Sequence, residues 1–149
     1  MALILIVDDS PTEVHVMQRA LERHGYRTAV AGDGAEGIRL ARQMHPDLIF
    51  MDIVMPGVNG YQATRTLAND PVTRAIPIVM VTSKGQETDR IWGLRQGAVD
   101  YLVKPVARET LLAVLDKLGM DGKKMLVVDD DEDALRLFYR MLTSAGRGY

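Results

Sequence analysis

Leu3-Ile4-Leu5-Ile6-Val7-Asp8-Asp9-Ser10-Pro11 is the stretch that decides the fold class. Five apolar residues run into two adjacent acids, and a helix start follows at once. Ser10 offers an N-cap, Pro11 suits the first helical position, and Glu13 stands three residues on, the spacing of a capping box. Gly25 supplies the stop, and Val14, Met17 and Leu21 form the buried stripe between. The same unit then recurs. Short apolar runs at Thr28–Ala31, Leu48–Met51, Ile78–Val81 and Tyr101–Val103 read as four further strands. Helical patterns lie between and after them: from Gly34 to Met44, opened by Asp33 and ended by Pro46; from Gly60 to Ala68; from Glu87 to Gln96; and from Arg108 to Leu118. The fourth helix, with Gly93 and Gly97, is expected to be the least stable. Apolar strands alternating with helices make a parallel sheet covered on both faces. The fold class is therefore α/β, a doubly wound five-stranded parallel sheet.

Composition narrows the function. The chain has 149 residues, of which 47% are hydrophobic and 26% charged, so it can bury a real core and is not a disordered polymer. Eighteen basic against 20 acidic residues give a net charge of −2, which lacks the basic field that non-specific nucleic-acid binding needs. No nucleic-acid role is expected of this chain. Without cysteine there is no disulfide framework, thiol nucleophile or thiolate metal site, and three scattered histidines make a zinc site improbable. His15, His24 and His45 receive no role. The first apolar run is too short for a signal peptide or a membrane span, so a cytoplasmic protein with no membrane contact is expected.

In an open parallel sheet, ligands bind beyond the carboxyl ends of the strands. Strand one ends there in Asp8 and Asp9, strand three in Asp52, strand four in Thr82 and Ser83, and strand five in Lys104 and Pro105. Crowded carboxylates repel, and they stay ionised at neutral pH only when a cation neutralises them. A hard divalent ion with oxygen ligands fits, with Mg²⁺ the natural candidate. Helix capping alone would explain any single one of these acids. It explains neither the adjacent pair nor the lysine at the end of another strand.

These residues resemble the receiver domains of two-component response regulators. The resemblance covers Ala2 to Leu118 and rests on Leu5-Ile6-Val7-Asp8-Asp9, the run from Met51-Asp52 to Asn59-Gly60, Val81-Thr82, and Tyr101-Leu102-Val103-Lys104-Pro105. The run from Met51 to Arg65, with Ile91-Trp92-Gly93, looks most like the small receivers of pilus-based twitching motility. The resemblance implies a flavodoxin-like receiver fold in which Asp52 accepts a phosphoryl group from a histidine kinase or histidine phosphotransfer protein. It further implies that Asp9, Asp52 and the backbone carbonyl of Val54 hold Mg²⁺, with Asp8 acting through bound water. Lys104 would pair with one phosphoryl oxygen and Thr82 would donate its hydroxyl to another. Thr82 and Tyr101 would form the switch, and helix four, strand five and helix five the face read by a downstream target. Pro105 matches the family's cis-proline, although trans is the default for any X-Pro bond. Two departures stand out: Ala107-Arg108 leaves helix five without a side-chain cap and sets a cation at its positive end, and Ser83 stands where a smaller Ala is common.

Two rival functions come from other classes. A Mg²⁺-dependent aspartyl-phosphate phosphohydrolase of the haloacid-dehalogenase type takes its nucleophile from an Asp-x-Asp pattern on strand one, and Asp8-Asp9-Ser10 breaks that pattern. A flavodoxin-like cofactor binder needs a phosphate-cradling loop after strand one, where acids would repel the flavin phosphate.

The end of the chain repeats its beginning. Leu126, Val128, Asp129 and Asp130 stand in the spacing of Leu5, Val7, Asp8 and Asp9, and Arg140, Leu142 and Gly146 in that of Arg19, Leu21 and Gly25. The chain therefore divides into a receiver at residues 1–118, a linker at 119–123, and at 124–149 a strand–helix appendage that matches the opening of a second receiver in tandem. The counterpart of Asp52 would lie beyond Tyr149, so Asp129 and Asp130 are expected to be non-catalytic. Alternatively the tail, with its stripe of Leu135, Phe138, Met141 and Leu142, pairs two subunits into a homodimer.

Overall fold

The computed structural model describes residues 2–83 and 87–120. In chain order the elements are β1 (Leu3–Val7), α1 (Pro11–Arg23), β2 (Arg27–Ala31), α2 (Gly34–Met44), β3 (Leu48–Asp52), α3 (Gly60–Asn69), β4 (Ile78–Thr82), α4 (Glu87–Arg95), β5 (Asp100–Val103) and α5 (Arg108–Lys117). The strands form one all-parallel sheet in the order β2-β1-β3-β4-β5. The expected doubly wound α/β architecture is present. The appendage assigned to 124–149 lies outside the described residues. Among the described residues no helix is long and apolar enough to cross a membrane.

Strand side chains alternate between two cores, as the period of a strand requires. Ile4, Ile6, Phe50, Val79 and Val81 point to one face, where α1 contributes Val14, Met17 and Leu21 and α5 contributes Leu111, Val114 and Leu115. Leu5, Val7, Ile49, Met51 and Met80 point to the other, packed with Ala41, Ala63, Leu67 and Tyr101. The central strands β1, β3 and β4 are buried along their whole length, whereas β2, at the sheet's edge, exposes Arg27 and Val30. Burial on both faces thus holds for the central strands and fails at that edge, where the strand has a neighbour on one side alone.

Local signals place most helix ends. The Asp33 carboxylate accepts from the Glu36 N–H at 2.8 Å, and α3 begins with a full capping box between Asn59 and Gln62. The α1 box differs from expectation. The Ser10 hydroxyl accepts from the Glu13 N–H at 3.5 Å, but the Ser10 N–H donates to Asp8 Oδ1 at 2.9 Å and the Glu13 carboxylate turns away toward Lys104. An ammonium offers that carboxylate a stronger partner than an amide does. Helix α4 ends at Arg95, one residue early, and Gly97 follows with φ +116°. Helix α5 starts at Arg108 with no side-chain cap on Ala107, as its sequence implies.

One glycine bears directly on what the sheet presents. A Cβ on Gly60 would lie 2.0 Å from the Asp52 carbonyl oxygen and 2.8 Å from Ile53 Cα, and the Gly60 N–H donates to Ile53 O at 2.8 Å. The start of α3 is therefore seated against the backbone of Asp52. Gly60→Ala is expected to destabilise by about 2 kcal/mol or more, because a methyl group must displace backbone rather than a flexible side chain. Urea unfolding checks this: the midpoint should fall with the slope m unchanged, and an unaltered midpoint would contradict the close approach.

Candidate functional site

The strand order reverses direction between β1 and β3, and at such a switch point loops diverge to leave a crevice at the carboxyl ends of the strands. Asp8 and Asp9 leave β1 there and Asp52 closes β3. Asp8 and Asp52 are buried, while Asp9 is exposed. One carboxylate oxygen from each of the three lies within 4.8 Å of the others. In register, Asp52 pairs with Val81, one residue before Thr82, and Thr82 pairs with Val103, one residue before Lys104. All five residues thus reach the same rim.

Lys104 supplies the one positive charge found in contact with this cluster among the described residues. Its Nζ lies 2.8 Å from Asp8 Oδ2 and 3.3 Å from Asp52 Oδ1. The third partner is Glu13, whose Oε2 lies 2.6 Å from the same nitrogen. The Lys104 N–H donates to Thr82 O at 2.7 Å, and the Lys104–Pro105 peptide bond is cis. The cis bond agrees with the receiver resemblance and departs from the X-Pro default.

The charges at this rim do not balance. Burial, followed by the adjacent Asp8 charge, pushes the Asp52 carboxyl up to about 6, and Lys104 offsets this only in part. Burial also opposes the charge on Lys104, yet the hydrogen bond to Asp8, the ion pair with Glu13 and the nearby Asp52 carboxylate hold it well above the usual lysine range. A permanent ammonium therefore faces more carboxylate charge than it neutralises. The donor set is three hard oxygen ligands, one of them open to solvent, with residual negative charge. It fits a small divalent cation that keeps some of its water.

The remaining expected residues fall as follows. Thr82 is 1% exposed at the end of β4. Tyr101 is buried, 9% exposed, in the layer with Met51 and Met80. Val54 lies two residues past Asp52 with its side chain 60% exposed. Glu13 has the spacing of a capping residue, but its ion-pair partner is 91 positions away, a separation no local pattern reports. His15, given no role, shares a groove with Asp8, Asp9 and Gln18 along α1.

The chain is similar to proteins of one family. The family model for the response regulator receiver domain matches residues 4–116. Protein PilH of Pseudomonas aeruginosa is 58% identical over 116 residues, covering 78% of this chain and 96% of that protein. Response regulator PleD of Caulobacter vibrioides is 37% identical over 129 residues; the match spans 87% of this chain but only 28% of PleD. Among solved structures, the receiver domain of a sensor histidine kinase from Pseudomonas aeruginosa PAO1 superposes with a TM-score of 0.73 at 34% identity. That match covers 78% of this chain and 96% of the other, and a magnesium ion is coordinated in its active-site cleft. The carboxylates and lysine gathered at the rim of a five-stranded parallel sheet thus belong to a member of the response regulator receiver domain family of two-component signalling.

Proposed function

We propose that this receiver takes a phosphoryl group on Asp52 from a phosphohistidine of a histidine kinase or histidine phosphotransfer protein, and that the acyl phosphate switches partner binding. The observation that carries the reading is the convergence of Asp8, Asp9, Asp52 and Lys104 on one rim. In the transfer, an Asp52 carboxylate oxygen forms the new bond to phosphorus while the phosphorus–nitrogen bond breaks. The imidazole leaves with that electron pair and is reprotonated by solvent. Asp9, Asp52 and the Val54 carbonyl would hold Mg²⁺, with Asp8 acting through water; bound there, the ion offsets charge on the transferring group. Lys104 pairs with one phosphoryl oxygen, and the Thr82 hydroxyl donates to another. Movement of the Thr82 hydroxyl toward the phosphoryl group, with Tyr101 turning inward behind it, reshapes the face of α4, β5 and α5 for a downstream target. The protein acts as a cytoplasmic signalling switch rather than a turnover enzyme, since its chemistry ends on its own side chain. The tail at 124–149 is read as the opening of a second receiver, with homodimerisation as the alternative.

Incubation with Mg²⁺ and acetyl phosphate should add one acid-stable, base-labile phosphoryl group, detected by mass spectrometry and absent from Asp52→Asn. A labelled Asp52→Asn protein would refute the assignment. A second prediction concerns stability in EDTA. The folded Asp52 carboxyl holds its proton up to about pH 6, against 3.8 for the ordinary carboxyl. The folded state therefore binds the extra proton, and stability falls as pH rises from about 4 to about 6, then levels off. Asp52→Asn removes that cost. It should stabilise the metal-free protein at pH 7.5 by about 1–2 kcal/mol, allowing for solvent screening in an open cleft, and by almost nothing at pH 4. Equal urea midpoints for the two proteins at pH 7.5 would contradict the raised carboxyl.

A further inference from the structure

Glu13 is the acid at this rim that the metal-donor cluster does not include. Its position is set by α1, where it is the third helical residue and its N–H is capped by the Ser10 hydroxyl. From there its Oε2 reaches 2.6 Å from Lys104 Nζ, the shortest of the three contacts that the ammonium makes. Asp8 follows at 2.8 Å and Asp52 at 3.3 Å. The Glu13 Oε2 atom is buried and takes no well-aligned hydrogen bond, so the attraction to Lys104 is one of charge. The ammonium therefore leans toward α1 and away from the carboxylate on which a phosphoryl group would arrive. Removing Glu13 would not set Lys104 adrift, because Asp8 and Asp52 still hold it.

We infer that Glu13 is a positioning residue that competes with the incoming phosphoryl group for Lys104 and so slows phosphorylation of Asp52. The inference rests on the reading of Asp52 as phosphoacceptor. A phosphoryl oxygen at Asp52 must draw the ammonium off Glu13, giving up a partly shielded ion pair. An interaction of that kind is worth about two- to fivefold in a rate constant. Because Glu13 lies outside the metal-donor cluster, its effect passes through the position of Lys104.

The test measures phosphorylation by acetyl phosphate at saturating Mg²⁺. Glu13→Gln should raise the rate constant about two- to fivefold. Glu13→Asp keeps the charge but is one methylene too short to hold the contact, and should show the same gain. Neither gain should survive in a Lys104→Met background, as a double-mutant cycle requires of residues acting together. An unchanged or slower Glu13→Gln protein, a Glu13→Asp protein that behaves as wild type, or a gain that persists without Lys104 would each overturn the inference. Should wild-type protein take no phosphoryl group on Asp52, the phosphoacceptor reading fails by itself. The ion pair is then tested in metal-free, unmodified protein by the ¹⁵N resonance of the Lys104 ammonium, which must move in both Glu13 variants. A resonance that stays in place would overturn the pairing.

Discussion

Carboxylates cannot be gathered at one rim of a sheet without a cation to hold them, and this constraint shapes the whole site. Lys104 is shared by Asp8, Asp52 and Glu13, and its charge is stabilised by all three. It is still not enough: Asp52 retains its proton up to about pH 6 because burial and Asp8 outweigh the lysine. The resting site is thus short of positive charge by design of its donor set. Such a site suits a divalent ion, and with that ion in place it would tolerate an anionic phosphoryl group, two properties that a receiver needs together.

The fold supplies the rigidity that such crowding demands. Two cores sandwich β1, β3 and β4, the first two of which deliver the acids, so Asp8 and Asp52 cannot retreat from one another without disturbing Ile4, Ile6, Phe50 or Met51. From the far side, the first turn of α3 is seated on the Asp52 backbone through Gly60. Repulsion between like charges is therefore resisted by packing on two faces and by a backbone contact along the chain.

Much of this was legible in the sequence because it is local. Strand and helix positions follow from periodicity and capping, and a parallel sheet places strand-terminal acids together whatever the details of packing. What was not legible is non-local. Glu13 carries the spacing of a capping box, and the pattern gives no sign that the lysine just past β5 competes for its carboxylate. The burial of Tyr101 depends on Met80, its register partner on β4, and on the layer the two share. The exposure of β2 depends on its place at the edge, which is a property of strand order rather than of residues 27–31. The Asn59–Gln62 box, by contrast, stands in the local pattern, with the same three-residue spacing as Ser10 and Glu13.

A receiver's chemistry at this rim requires a divalent cation held through its carboxylates. Thermal unfolding of the full chain in EDTA and in rising Mg²⁺ is the most direct measurement, since an ion that binds only the folded state must raise Tm with concentration. The wild-type protein is expected to show that rise and Asp9→Ala to lose it. A wild-type Tm indifferent to Mg²⁺, or an equal rise in the Asp9→Ala protein, would contradict cation binding by these carboxylates.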